Sequence, residues 1–157
     1  MKRVRGFTLI ELLVTLAILA VLAYFTVPVA EVAVQRTQEA ELRHALREIR
    51  NAIDAYKAAS DTGRIARSVQ STGYPASLTQ LVEGVEDAKD PKKNKLYFLR
   101  RIPRNPLDDS QAADPADTWG LRAYASEPDE PKDGDDVYDV YAPSTAIGLN
   151  GVAYNKW

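Results

Sequence analysis

Between Phe7 and Ala30 the stretch FTLIELLVTLAILAVLAYFTVPVA carries a single formal charge, Glu11. A helix over this run is about 36 Å long at 1.5 Å per residue, enough to cross the apolar core of a bilayer. Lys2, Arg3 and Arg5 stand immediately before it, so the positive-inside rule places the N-terminus in the cytoplasm and the bulk of the chain outside it. Glu11 is the anomaly: an unpaired carboxylate in such a segment costs roughly 3 kcal/mol, and the sequence has to supply a partner for it.

The remaining composition narrows the chemistry. The 157 residues hold no cysteine and one histidine, His44, which removes disulfides, thiolate metal sites, thiol nucleophiles and multi-histidine metal centres. No nucleotide-binding glycine motif or nucleophile elbow occurs, and no basic patch suggests nucleic acid. With no catalytic or metal-ligating set, a structural role is expected rather than an enzymatic one. A formal net charge of -2 with 45% hydrophobic residues suits one folded domain plus an appendage.

Beyond the apolar run, Leu42, Ala45, Leu46, Ile49, Ala52, Ile53 and Tyr56 recur at helical spacing. Glu39, Arg43, Arg47, Arg50 and Asp54 fall off that stripe, so one side of the helix is expected to bury and the other to stay wet. His44 lies beside the stripe and is expected on the surface. Pro28 removes a backbone donor and should kink or loosen the helix. The helix should stop at SDTGR, near residue 60, through Ser60, Asp61 and Gly63.

In the C-terminal half, Pro75 and Ser77 suggest a second short helix ending at Gly84, and EDAKDPKKNK is a solvated loop by composition. Three strand-like pieces follow, LYFLRRIP, TWGLRAYAS and DVYDVYAPS. The last alternates, with Val137, Asp139 and Tyr141 on one face and Tyr138 and Val140 on the other. EPDEPKDGDD between the second and third is a long hairpin connection. Trp119, Tyr124, Tyr138, Tyr141 and Trp157 are expected as core or interface aromatics. The fold class is α+β: a long N-terminal hydrophobic and then amphipathic helix packed on a small antiparallel sheet.

A secretory signal would need a small-residue cleavage site, and residues 28–33 match that pattern poorly. A plain single-span anchor leaves Glu11 without a reason. By contrast RGFTLIELLVTLAIL resembles the prepilin signal of type IV pilins and type II secretion pseudopilins. The resemblance implies a leader, 1–6, cut after Gly6 by a prepilin peptidase, N-methylation of the new terminus Phe7 by the associated methyltransferase, and retention of 7–30 as a transmembrane assembly helix. Glu11 would then pair with the Phe7 amine of a neighbouring subunit and set register in a filament.

The later motifs GYP, YFLRRIPRNPLD, WG, DVYDVYAPS and NKW are similar to the major pseudopilins of type II secretion. This implies a pilin-like fold, with 31–157 as a periplasmic domain of a protein spanning the bacterial inner membrane once. The implied partners are further copies in a helical filament, other pseudopilins, an inner-membrane assembly platform and the peptidase. The implied role is pseudopilus formation that drives protein export across the outer membrane. The alternative is a type IV pilin for adhesion, twitching or DNA uptake, although many pilins close their C-terminal region with a disulfide and this chain has no cysteine. A third possibility, a monomeric membrane-anchored binding or catalytic domain, gives Glu11 no role.

Major pseudopilins typically bind calcium in the loop after the last strand, through carboxylates and carbonyls. Here that loop, APSTAIGLNGVAYNKW, has no Asp or Glu and offers only carbonyls with Asn150 and Asn155. Asp133, Asp135, Asp136 and Asp139 lie before it, without the spacing of an EF-hand. No cofactor or metal is therefore expected, and Asn150-Gly151 is expected to close the loop as a turn.

Overall fold

The computed structural model describes residues 6–157; the leader cations at positions 2, 3 and 5 lie outside the described residues, as do the side chains of 25–29. The expected kink at Pro28 falls among the latter. Helix α1 spans Leu9–Asp61, and contacts divide the chain into Met1–Thr37 and Gln38–Trp157.

In the first unit, α1 begins at a cap. The Glu11 amide donates to Thr8 Oγ1 at 3.3 Å and the Leu12 amide to the Thr8 carbonyl at 3.2 Å. The first bond satisfies one of the orphan amides of the first turn, and the second is the first regular turn of the helix. Leu12, Leu13 and Val14 are all more than half exposed. Consecutive residues are 100° apart, so this part of the helix is apolar all round. Among the described residues no helix is long and apolar enough to cross a membrane. The described apolar part, Leu9–Tyr24, is about 24 Å long, whereas the full run from 7 to 30 also needs residues 25–29.

The second unit is built on the rest of α1. Leu42, Ala45, Leu46, Ile49, Ala52, Ile53 and Tyr56 are all buried, as their spacing predicts. They meet Leu78 and Leu81, then Leu99, Trp119, Val137, Val140 and Tyr154, in one core. Each fully buried Leu or Ile contributes about 1.5–3 kcal/mol of apolar transfer. At its end α1 closes with the Gly63 amide on the Ser60 carbonyl (3.0 Å) and the Arg64 amide on the Ala59 carbonyl (2.9 Å), with Gly63 at φ 72°. That is a Schellman stop, placed by the glycine at the predicted position.

Helix α2, Thr79–Glu83, ends before Gly84 as expected. The sheet differs from expectation. Instead of one three-stranded sheet there are two antiparallel pairs, β1 (Val85–Glu86) with β2 (Lys95–Leu96), and β3 (Gly120–Arg122) with β4 (Asp139–Tyr141). The piece LYFLRRIP leaves its ladder after Leu96 because the Phe98 and Leu99 amides both turn to the Leu81 carbonyl, at 3.0 and 2.9 Å. Pro103 then offers no donor to continue a strand. The charged stretch expected as loop supplies Glu86 and Lys95 to the first hairpin.

Across β3 and β4, Gly120 opposes Tyr141, and a Cβ on Gly120 would lie 2.3 Å from the Tyr141 ring. The WG pair thus places a large ring where only hydrogen fits. The alternation expected for the last strand is also corrected. Val137 and Val140 are both buried because Val137 precedes β4 and donates its amide to the Pro75 carbonyl at 2.7 Å.

The β1–β2 connection is held by Asp87, whose carboxylate receives Arg64 Nε and Nη2 at 3.0 and 2.5 Å and the Lys89 amide at 3.0 Å. The Arg64 hydrogen bond first, and then the Lys89 amide, hold the Asp87 carboxyl below its ordinary range. A carboxylate with a depressed folded-state pKa stabilises the fold above its unfolded value of about 3.9, and that contribution disappears as pH falls through the folded value. Chemical denaturation at successive pH values is therefore expected to show a shallower acid-side loss of stability for Asp87→Asn than for the unaltered chain.

Candidate functional site

Gly6 and Phe7 precede α1, and Glu11 lies in its first turn, where a carboxylate is favoured by the helix dipole. Phe7 is 84% exposed. A Cβ added at Gly6 would meet nothing within 4 Å, and the residue has no left-handed φ, so the fold itself imposes no requirement for glycine there. Among the described residues the Glu11 carboxylate has no partner. The Thr8-x-x-Glu11 spacing is that of a capping box. It was legible in the sequence as the start of a helix, and the Thr8 half of the box is formed.

A second polar assembly ties α1 to the C-terminal segment. Glu39, expected on the wet face, is buried. It stands three residues before Leu42 and so extends the buried stripe by one turn. Its Oε1 receives the Leu149 amide at 2.6 Å and the Tyr154 hydroxyl at 3.1 Å, while Oε2 faces Arg43 at 3.4 Å. The Arg43 guanidinium in turn lies 4.3 Å from the centre of the Trp157 ring.

Arg50, also expected on the wet side, donates to Asp139 Oδ1 at 2.7 Å, to the Val140 carbonyl at 3.0 Å and to the main-chain oxygen of Trp157 at 2.8 Å. Asp139 also faces Arg122 at 3.4 Å. These two α1 side chains satisfy groups on β4 and on the segment after it.

Asn150 and Asn155 are the amide side chains of the loop after β4. The Asn150 oxygen receives the Val152 amide at 3.0 Å, leaving Asn155 Oδ1 as the buried side-chain oxygen without a partner. Glu39, the carboxylate that reaches the loop, is aimed at an N–H and an O–H, whereas a calcium ion requires several converging oxygens. The loop is closed by hydrogen bonds instead. The Gly148 amide donates to the Val152 carbonyl and the Gly151 amide to the Gly148 carbonyl, each at 2.9 Å, with Gly151 at φ 78°. The expected Asn150-Gly151 turn is therefore present.

The acidic residues in and just before β4 are divided among separate tasks. Asp139 serves the two arginines, and Asp136 accepts from the Thr72 hydroxyl and from the Tyr124 amide. Among the described residues no group of three His, Asp or Glu side chains converges on one point. His44 is exposed, with Nδ1 3.7 Å from Glu48. Of the aromatics, Trp119 is in the core and Tyr124 is exposed, stacked on Tyr74 at 5.7 Å.

The N-terminus, an exposed Gly-Phe junction followed by a capped apolar helix, is also where a known family model matches the chain. The chain carries a prokaryotic N-terminal methylation motif. It covers residues 1–23 and so includes Gly6, Phe7 and Glu11. No curated protein and no solved structure matches the chain. The methylation motif ends before the second unit begins, so the globular part rests on its own geometry.

For that part, Glu39→Ala removes the acceptor of the buried Tyr154 hydroxyl and of the part-buried Leu149 amide, and loss of a buried acceptor costs about 1–3 kcal/mol. The expected result is loss of global stability with faster hydrogen exchange at the Leu149 amide. Unchanged exchange at Leu149 would show that Glu39 does not hold the loop.

Proposed function

We propose that this chain is a pilin-like structural subunit, cut after Gly6 and N-methylated at Phe7, which polymerises through its apolar helix into a filament anchored at the bacterial inner membrane. The observation that carries this reading is the methylation motif over 1–23 leading into a helix that is apolar on every face and holds one unpartnered carboxylate. Two further features support it. Nothing in the fold requires glycine at position 6, which leaves recognition by a processing enzyme as the reason for it. An all-round apolar helix also has to be covered by lipid or by other helices.

Within a bundle of such helices, the amine created at Phe7 of one copy supplies the cation that Glu11 of another lacks. In a low-dielectric bundle the pair offsets much of the carboxylate's desolvation cost and fixes the axial register of adjacent copies. The second unit then faces the periplasm, and its role is geometric rather than catalytic.

The finer assignment is to the pseudopilus of a type II secretion system, acting with other pseudopilins and an inner-membrane platform in export across the outer membrane. Its support is the set of motifs from GYP to NKW together with the absence of cysteine, against the disulfide-closed loop of many type IV pilins. In this chain the Glu39 carboxylate, accepting from the Leu149 amide, and the Arg50 guanidinium, donating to the Trp157 main chain, hold the corresponding segment.

Two experiments test this. Glu11→Ala should insert and be processed normally while filament yield falls; filaments at the unaltered level would contradict the register role. In a strain lacking the protein, specific proteins should vanish from the extracellular medium while surface pili remain. Intact secretion with missing surface pili would move the chain to the type IV pilin class.

A further inference from the structure

Two segments with unpaired charges, a basic one at Arg101 and the acidic connection 127–136, flank the buried stripe of α1 in the second unit. On one flank, Glu41, His44 and Glu48 border a hollow closed by Arg101 and Arg104. On the other flank, Arg50 and Asp139 border a hollow closed by Pro128 and Pro131 of the connection between β3 and β4. Arg50 follows Glu41 by two and a half turns of helix, about half a circle round its axis. The segment at 100–104 and the connection at 127–136 therefore lie on opposite sides of α1.

They also differ in height. Arg101 is beside the turns of Glu41 and Glu48, whereas Asp133 and Asp135 line a groove that reaches Tyr56. That separation is about 15 Å along the helix axis at 1.5 Å per residue.

The side chains involved are unspent. Arg100 and Arg101 are exposed and have no hydrogen-bond or ion-pair partner among the described residues, while the neighbouring Arg104 is held by Asp108 and the Ala112 carbonyl. The connection 127–136 carries six carboxylates and one lysine. Asp136 is bound to Thr72 and Tyr124, and Glu130 faces Lys132. Glu127, Asp129, Asp133 and Asp135 have exposed carboxylates with no partner among the described residues. Four like charges on one short segment repel one another, and a guanidinium pair relieves that repulsion with planar forks suited to carboxylates.

We infer that the 127–136 connection of one copy receives Arg100 and Arg101 of the next copy. This rests on the filament reading above and names the contact between its globular units. Donor and acceptor surfaces differ, so the contact is head-to-tail and leaves each copy with a free surface for another. Because they also differ in height, each added copy is displaced along α1, which gives an open helical assembly rather than a closed ring. Charge of this exposed kind steers docking and selects partners.

The test uses the full chain in its own membrane, read by amine crosslinking into a multimer ladder and by filament counts. Arg100→Glu with Arg101→Glu is expected to lower the higher multimers about tenfold, as is Asp133→Lys with Asp135→Lys, and combining the two reversals is expected to restore them. Since the chain has no cysteine, copies bearing Arg101→Cys or Asp133→Cys can be coexpressed and treated with a short bis-maleimide, and a mixed dimer is expected. A ladder untouched by the arginine reversal, no restoration by the combined reversal, or coupling of Arg101→Cys only to a different protein would overturn the contact. If the unaltered chain forms no ladder, the filament reading falls with it; if its ladder is intact and the arginine reversal leaves it so, only the contact falls.

Discussion

Burial of one stripe of α1 organises the second unit. The seven residues from Leu42 to Tyr56 are the common surface onto which α2, Trp119, β4 and the C-terminal segment are laid. The two β pairs are only two and three residues long, too short to be stable alone, and they depend on that helix for an apolar face. Three buried or part-buried charged groups stand around the edges of the stripe: Glu39 at its start, Arg50 on one flank, and the Arg64–Asp87 pair past its end.

Glu39 and Arg50 give the C-terminal segment an anchor made of protein groups alone. A buried carboxylate aimed at an amide and a hydroxyl, and a guanidinium that reaches a carboxylate and two main-chain oxygens, hold it with directional, charge-assisted bonds. The first unit has the opposite character. Over Leu9–Tyr24 its side chains are mostly apolar and unburied within one copy, and Glu11, the carboxylate of that stretch, has no partner among the described residues. The apolar part of the N-terminal helix is thus the large hydrophobic surface left uncovered within one copy.

The features legible in the sequence were those fixed by local chemistry. The buried stripe follows from 3.6-residue spacing, the stop at Gly63 from the need for positive φ, and the Asn150-Gly151 turn from residue type. The features missed were decided at long range. Glu39 and Arg50 read as solvent-facing because their partners lie more than eighty residues away in the chain. LYFLRRIP read as a strand because its composition is strand-like, yet the Leu81 carbonyl claims the amides that would have extended the ladder. Gly6, Phe7 and Glu11 were legible as a motif, and the capping role of Thr8 adds a local reason for the start of α1.

Removal of the leader at one bond with retention of the apolar helix fixes the mass of the mature protein, which can be measured on protein isolated from membranes. The expected mass is that of a chain beginning at Phe7 with one added methyl group on its amine and Glu11 unmodified. A chain still beginning at Met1, or one cut beyond the apolar run so that α1 loses its first unit, would contradict it.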